Sequence, residues 1–182
     1  MSITLILGCM YSGKTTELIR QMRRARIAGL TTQLYKYARD VRYDNLKLAS
    51  SHDGVKEVAI PIVNADEIGP WQSGMIIGID EGQFILNLSA VAEKMANEGV
   101  HVIISALDTD YHRQPFPMME RLWFLCEKRL QMHAICVVCK GEASFTQRIV
   151  ESDELELIGG TEAYRAVCRR CYFTCDSTLM LV

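Results

Sequence analysis

The chemistry-bearing residues fall into three groups, and the first opens the chain. Gly8-Cys9-Met10-Tyr11-Ser12-Gly13-Lys14-Thr15 reads G-x-x-x-x-G-K-T, the spacing of a loop that wraps phosphate. The glycines let the backbone curl so that several N–H groups converge on phosphate oxygens, and a following helix adds its dipole. Lys14 is then placed to neutralise the β- and γ-phosphates of ATP, and the Thr15 hydroxyl to bind Mg²⁺. The second group is Asp80-Glu81, at the end of the apolar run Met75-Ile76-Ile77-Gly78-Ile79. Open α/β sheets bind ligands at such strand ends. Neighbouring strand residues point opposite ways, so the two carboxylates should do different jobs. Asp80 is the candidate second Mg²⁺ residue. Glu81 is the candidate base, facing an acceptor hydroxyl or a hydrolytic water. The two motifs together leave a kinase and an ATPase both open.

Cys136-x-x-Cys139 and Cys168-x-x-Cys171, 28 residues apart, form the third group. Two such knuckles can close a four-thiolate shell around a structural Zn²⁺. The gap exceeds that of compact fingers, so the metal should clamp the base of an extended loop. A pair of redox-active dithiols is the competing reading. No N-K-x-D motif is present, and Asp80-Glu81-Gly82 does not have the D-x-x-G spacing of GTPase switches, which argues against a GTPase.

These residues need elements to hold them. Residues 2–7 and Gly8 read as a buried strand, and 14–28 as a helix with Leu18, Ile19, Met22 and Ala25 at helical spacing. Further strands are expected at 31–37, 75–79 and 101–106, with a helix at 88–98. Alternation of this kind predicts an α/β fold, a P-loop NTPase-like parallel sheet with helices on both faces. After Arg129 the pattern changes to cysteine pairs and short β-prone pieces without a clear helix. We therefore expect a nucleotide-binding domain over 1–129 and a small zinc-stapled lobe over 130–182.

With 182 residues, 49% apolar and 23% charged, the chain can bury a core. A net charge of −2 lacks the overall basic character of dedicated nucleic-acid binders. The stripe Arg20, Arg23, Arg24 and Arg26 reads as a solvated helix face. A nucleic-acid-associated ATPase is the rival from another class. No apolar run approaches the length of a membrane span and no export signal is read, so neither membrane nor nucleic acid is expected as a partner, and the expected compartment is the cytoplasm.

The order of blocks GCMYSGKTTELIR, KYARDVRY, SHDG, IGIDEGQF, ALDTDYHRQPF, CVVCKGEASFTQR and IGGTEAYRAVCRRCY resembles the type II thymidine kinases, especially poxviral and vertebrate members. The resemblance runs nearly end to end. It implies ATP- and Mg²⁺-dependent phosphorylation of the 5′-hydroxyl of thymidine, with deoxyuridine as an alternative acceptor, giving dTMP for nucleotide salvage. Glu81 matches the family's proton acceptor. Asp40, Val41 and Arg42 match a second nucleotide-contact segment, and Asp80 to Gln83 a third.

Arg148 matches a position near the transferring phosphate. Met10, Phe84, Leu107, Tyr111 and Thr146 would line the thymine pocket. The inter-knuckle loop would form a lasso over the base, with contacts from Leu155, Glu156, Leu157, Ile158, Gly159 and Tyr164. The resemblance also implies a homotetramer and feedback inhibition by thymidine triphosphate (dTTP). Two residues depart from the family pattern. Cys9 stands where proline is usual, and Asp110 where many relatives have Thr or Gly.

Overall fold

The computed structural model describes residues 1–40, 48–50, 56–151 and 159–174. Its centre is a six-stranded sheet in the order β5-β2-β6-β7-β1-β8, with every neighbouring pair parallel. In chain order the elements begin with β1 (Ser2–Gly8), α1 (Lys14–Ile27) and β2 (Thr32–Tyr37), then the short strands β3 (Leu48–Ser50), β4 (Lys56–Val58) and β5 (Ile60–Ile62). β6 (Ile76–Asp80), α2 (Leu88–Asn97), β7 (His101–Ala106), α3 (Pro117–Leu125) and β8 (Lys128–Met132) complete the layer. The remaining pieces are β9 (Ala134–Ile135), β10 (Glu142–Ala143), β11 (Phe145–Arg148), β12 (Tyr164–Val167) and α4 (Arg169–Thr174).

The alternation along β1 explains the layering. Ile3, Leu5 and Leu7 face the core shared with α2 and α3, through Leu88, Ala92, Met95, Met119 and Leu122. Ile6 faces the other side, where α1 lays Leu18 and Met22 against it with Leu34 and Ile103. A parallel sheet covered on both faces reads as continuous apolar strands because both side-chain sets are buried, and β7 is the example, its residues Val102 to Ala106 all buried. Helices thus lie on both faces, α1 on one and α2 with α3 on the other.

α1 carries its arginines outward. Arg20 pairs with Glu17 at 2.6 Å, while Arg23 and Arg26 both reach Glu57, at 3.1 and 3.0 Å. The two pairs on Glu57 tie the helix to β4, and exposed pairs of this kind contribute little individually.

After β8 the chain forms a second, smaller layer: the antiparallel pairs β9–β10 and β11–β12, closed by α4. Its core is Ala134, Cys136, Ala143, Ala166, Val167 and Cys171, and Cys9 of the first loop packs into it. β8 itself belongs to the large sheet, so the sheet runs through the 129/130 junction to Met132. α4 stands where no helix is expected from the sequence. Its six residues show no apolar period, and its first turn is fixed by the second knuckle, where the Tyr172 N–H donates to the Cys168 carbonyl at 2.9 Å.

Among the described residues no helix is long and apolar enough to cross a membrane.

Candidate active site

β1 ends at Gly8, where a Cβ would lie 2.3 Å from the Met132 carbonyl oxygen, so only glycine lets β1 pass β8 and turn away. Tyr11 (φ 66°) and Gly13 (φ 84°) then take left-handed conformations on either side of Ser12. Such alternation turns successive N–H groups to one concave side, the geometry of an anion nest. The loop runs straight into α1, whose first residues are Lys14 and Thr15. The Ser12 hydroxyl and the Lys14 ammonium both donate to the Cys9 carbonyl, each at 2.8 Å. Lys14 is buried, and burial pulls its pKa down, with the Glu81 carboxylate the largest opposing influence. The Cys9 thiol is pushed up by burial against the pull of Lys14, so the cysteine stays neutral. It donates to the Ala143 carbonyl at 3.5 Å.

Asp80 ends β6 beside this loop. The Thr15 hydroxyl donates to both of its carboxylate oxygens at 3.1 Å, and the Ser105 hydroxyl from β7 donates to Oδ1. Thr15 and Asp80 thus present hard oxygen donors to one point, the ligand type Mg²⁺ takes. Burial, and then the like charge of Glu81, raise the Asp80 carboxyl from 3.8 to about 6.

A carboxyl raised in this way favours the fold when protonated. That contribution is complete below the unfolded-state pKa and is lost as pH climbs through about 6. Above that pH the buried charge costs the ligand-free protein about 2–3 kcal/mol. Asp80→Asn is therefore expected to raise the melting temperature of the ligand-free protein by roughly 5–10 °C at pH 8 and to change it little at pH 4, by scanning calorimetry.

Glu81 follows at φ 55°, a left-handed conformation that is uncommon for a non-glycine residue. The strand has ended and the backbone turns into a short 3₁₀ segment, Gly82–Phe84. Glu81 therefore lies in a left-handed turn beyond the strand, so strand alternation does not set its direction relative to Asp80. The turn persists because its neighbours hold it. The Gln83 side-chain Nε2 donates to Glu81 Oε2 at 2.6 Å, and the Gln83 side-chain Oε1 accepts the Leu107 N–H at 3.1 Å. Gln83 so links the candidate base to the segment that leaves β7. Ser105 and this bridging role were not read from the sequence. A lone hydroxyl inside an apolar strand was the available signal for Ser105.

Met10, Leu107, Tyr111 and Tyr164 come together in one small cluster with Ala163 and Tyr11. The Thr146 hydroxyl accepts the Met10 N–H at 2.9 Å, and the Tyr11 hydroxyl donates to the Tyr164 carbonyl at 3.3 Å. The Arg148 guanidinium sits over the Tyr111 ring at 3.7 Å and the Tyr164 ring at 5.2 Å, donating to the Tyr164 hydroxyl at 2.7 Å. Phe84 packs on the adjoining core cluster, which Leu107 also touches, and lies against Tyr37 and Phe116 at centroid distances of 5.3 and 5.6 Å. Asp40 follows β2, its charge felt by Asp80, and its carbonyl accepts from buried Lys36 at 2.8 Å. Gly159 is buried beside Ala163. Val41, Arg42, Leu155, Glu156, Leu157 and Ile158 lie outside the described residues.

The four knuckle sulfurs of Cys136, Cys139, Cys168 and Cys171 all lie within 4.8 Å of one another. Cys139 and Cys168 Sγ are 3.7 Å apart, close to the edge of a thiolate tetrahedron about 2.3 Å from a central ion. The Cys171 N–H approaches Cys168 Sγ at 3.5 Å and lowers its pKa. Cys171 is pushed up to about 12, by burial and by the neighbouring thiols. Four thiols so close cannot all ionise without a cation among them, and the donor set is consistent with a zinc site.

A nucleotide-binding loop at the head of a parallel sheet, with a paired acidic strand end, defines an enzyme of the P-loop nucleotide-dependent class. The family model described as Thymidine kinase matches residues 1–172. The chain is 40% identical over 172 residues to "Thymidine kinase" of rabbit fibroma virus (strain Kasza), covering 94% of this chain and 96% of the relative. It is 43% identical over 174 residues to "Thymidine kinase 1" of Dictyostelium discoideum, covering 93% and 77%. A bacterial relative, "Thymidine kinase" of Porphyromonas gingivalis, is 40% identical over 178 residues, covering 97% and 87%. The chain belongs to the thymidine kinase family.

Proposed function

We propose that this chain transfers the γ-phosphoryl group of ATP to the 5′-hydroxyl of thymidine, with Glu81 as the base. The observation that carries this reading is the position of Glu81, one residue beyond Asp80 and tied through Gln83 to Leu107 in the cluster that holds Met10, Tyr111 and Tyr164. The base thus stands between a phosphate loop and a partly aromatic pocket.

The loop from Gly8 to Thr15, through backbone N–H groups other than that of Met10, which is held by Thr146, and the Lys14 ammonium receive the phosphates, and Asp40, Val41, Arg42 and Gln83 add nucleotide contacts. Thr15 and Asp80 hold Mg²⁺, which when bound offsets charge on the β- and γ-phosphates. A Glu81 carboxylate oxygen accepts the 5′-hydroxyl proton as the 5′-oxygen bonds to the γ-phosphorus. The bond from that phosphorus to the β–γ bridging oxygen breaks, leaving ADP and dTMP.

Met10, Phe84, Leu107, Tyr111 and Thr146 frame the base. Arg148 offers positive charge, and Leu155, Glu156, Leu157, Ile158, Gly159 and Tyr164 would supply the lasso contacts to the base that the family likeness implies. A Zn²⁺ on Cys136, Cys139, Cys168 and Cys171 is structural, since four thiolates leave no open position. A cytoplasmic homotetramer restrained by dTTP completes the reading, on family likeness alone.

A nucleoside panel with γ-labelled ATP tests it. Label is expected on thymidine and, more weakly, on deoxyuridine, and not on purine nucleosides. ADP release that ignores nucleosides but rises with added polynucleotide would support the nucleic-acid ATPase instead.

A further inference from the structure

We propose that Arg113 and Tyr172 are positioning residues for the acceptor pocket, locking the segment that carries Tyr111 onto the second cysteine knuckle. The inference rests on the thymidine reading above and concerns two side chains that the reading leaves unused.

The segment after β7 folds into a tight turn. The Asp110 N–H donates to the Gln114 carbonyl at 2.9 Å, the Arg113 N–H to the Asp110 carbonyl at 3.0 Å, and the Gln114 N–H to Asp110 Oδ1 at 2.8 Å. The turn forces Arg113 to φ 66°, and strained non-glycine backbone persists where its surroundings fix it. Its guanidinium carbon lies 4.7 Å from the Tyr172 ring centroid and 4.6 Å from that of Phe173, both on α4. Its Nε is buried without a hydrogen-bond partner among the described residues. The two ring faces are therefore what this nitrogen's side of the cation meets, an attraction that strengthens when water is excluded.

A second tie runs the other way. The Tyr172 hydroxyl donates to the Tyr111 carbonyl at 2.6 Å. Tyr172 is the residue after Cys171, and its own N–H is fixed on the Cys168 carbonyl. The knuckle thus holds Tyr172, Tyr172 holds the Tyr111 backbone, and the Tyr111 ring carries Arg148 at 3.7 Å. Neither Arg113 nor Tyr172 belongs to the phosphate loop or the acidic strand end, so losing the ties should affect one substrate and spare the other.

Two variants test this. Tyr172→Phe removes the hydroxyl and keeps both rings, and Arg113→Gln removes the cation and keeps the turn's length. In each, KM for thymidine is expected to rise about 5- to 20-fold, as loss of one such contact allows, with KM for ATP changed less than about two-fold. The calorimetric Kd for thymidine should weaken in parallel. Arg113→Lys, which keeps a cation, should recover part of the loss. Unchanged thymidine affinity in both variants overturns the inference, and so does an equal rise in both KM values, which marks general loosening. Thymidine binding by the unaltered chain separates the failures: if it is absent, the function reading falls and takes the inference with it. If it is present while the variants match it, only the inference falls.

Discussion

Glu81→Gln is expected to lower kcat for thymidine phosphorylation by about 10²–10⁴ while leaving the Kd for ATP within roughly two-fold. The substitution keeps size and shape. The Gln83 amide, which donates to Glu81 at 2.6 Å, can still donate to the new side-chain carbonyl, so the left-handed turn retains its support. What is lost is the ability to take a proton. The phosphate loop should keep its shape, because the Ser12 hydroxyl and the Lys14 ammonium are held on the Cys9 carbonyl, each at 2.8 Å. Asp80, relieved of a like charge that helps raise it to about 6, should ionise more readily. A loss confined to kcat marks an interaction made in the transition state, whereas a rise in KM with kcat unchanged would mark simple binding. Steady-state kinetics on both substrates with calorimetric ATP binding makes the distinction, and near-normal turnover would remove Glu81 from its assigned role.

The second large effect is expected from the knuckles. Reduced protein should carry one zinc per chain by elemental analysis, and Cys171→Ser should abolish both that content and thymidine phosphorylation. The small layer cannot hold itself by packing: its core is mainly alanines, one valine and the cysteines, and units this small usually need a metal or a disulfide. Structural zinc supplies about 10–16 kcal/mol in isolated fingers, far more than that core.

Damage should also reach the phosphate loop. Its first half is bound to the layer through the Met10 N–H on Thr146, the Tyr11 hydroxyl on the Tyr164 carbonyl and the Cys9 thiol on the Ala143 carbonyl. KM for ATP should therefore rise about ten-fold or more in any residual activity. Limited proteolysis should cut within 134–174 while the sheet resists. Full activity in metal-free, reduced protein would contradict the assignment.

The large sheet was legible because its strands are buried on both faces. β7 matches its expected span of 101–106, and α1 and α2 differ from theirs by one residue at the C-terminal end. β8 was less visible. As an edge strand reading Lys-Arg-Leu-Gln-Met, it buries only part of Leu130 and Met132, and edge strands carry charge that masks their pattern. α3 was not read from the sequence, since its nine residues follow Pro115 and sit among exposed apolar side chains such as Trp123 and Phe124. α4 was invisible because knuckle geometry sets it rather than periodicity.

At the site, the phosphate loop, Asp80 and the four cysteines could be read from type and spacing alone. Glu81 could be singled out, but its left-handed backbone could not. That conformation depends on Gln83 and Leu107, residues brought together only by the sheet. Ser105 and the Arg113–Tyr172 contact belong to the same class of information, in which chemistry is fixed by partners distant in sequence.

The most direct test is a crystal structure of the unaltered chain with thymidine and a non-hydrolysable ATP analogue. The account predicts the triphosphate along Gly8 to Thr15 and the thymidine 5′-oxygen about 3 Å from a Glu81 carboxylate oxygen. A nucleoside bound with its 5′-oxygen well beyond hydrogen-bond reach of Glu81, and with another side chain against it, would contradict the account.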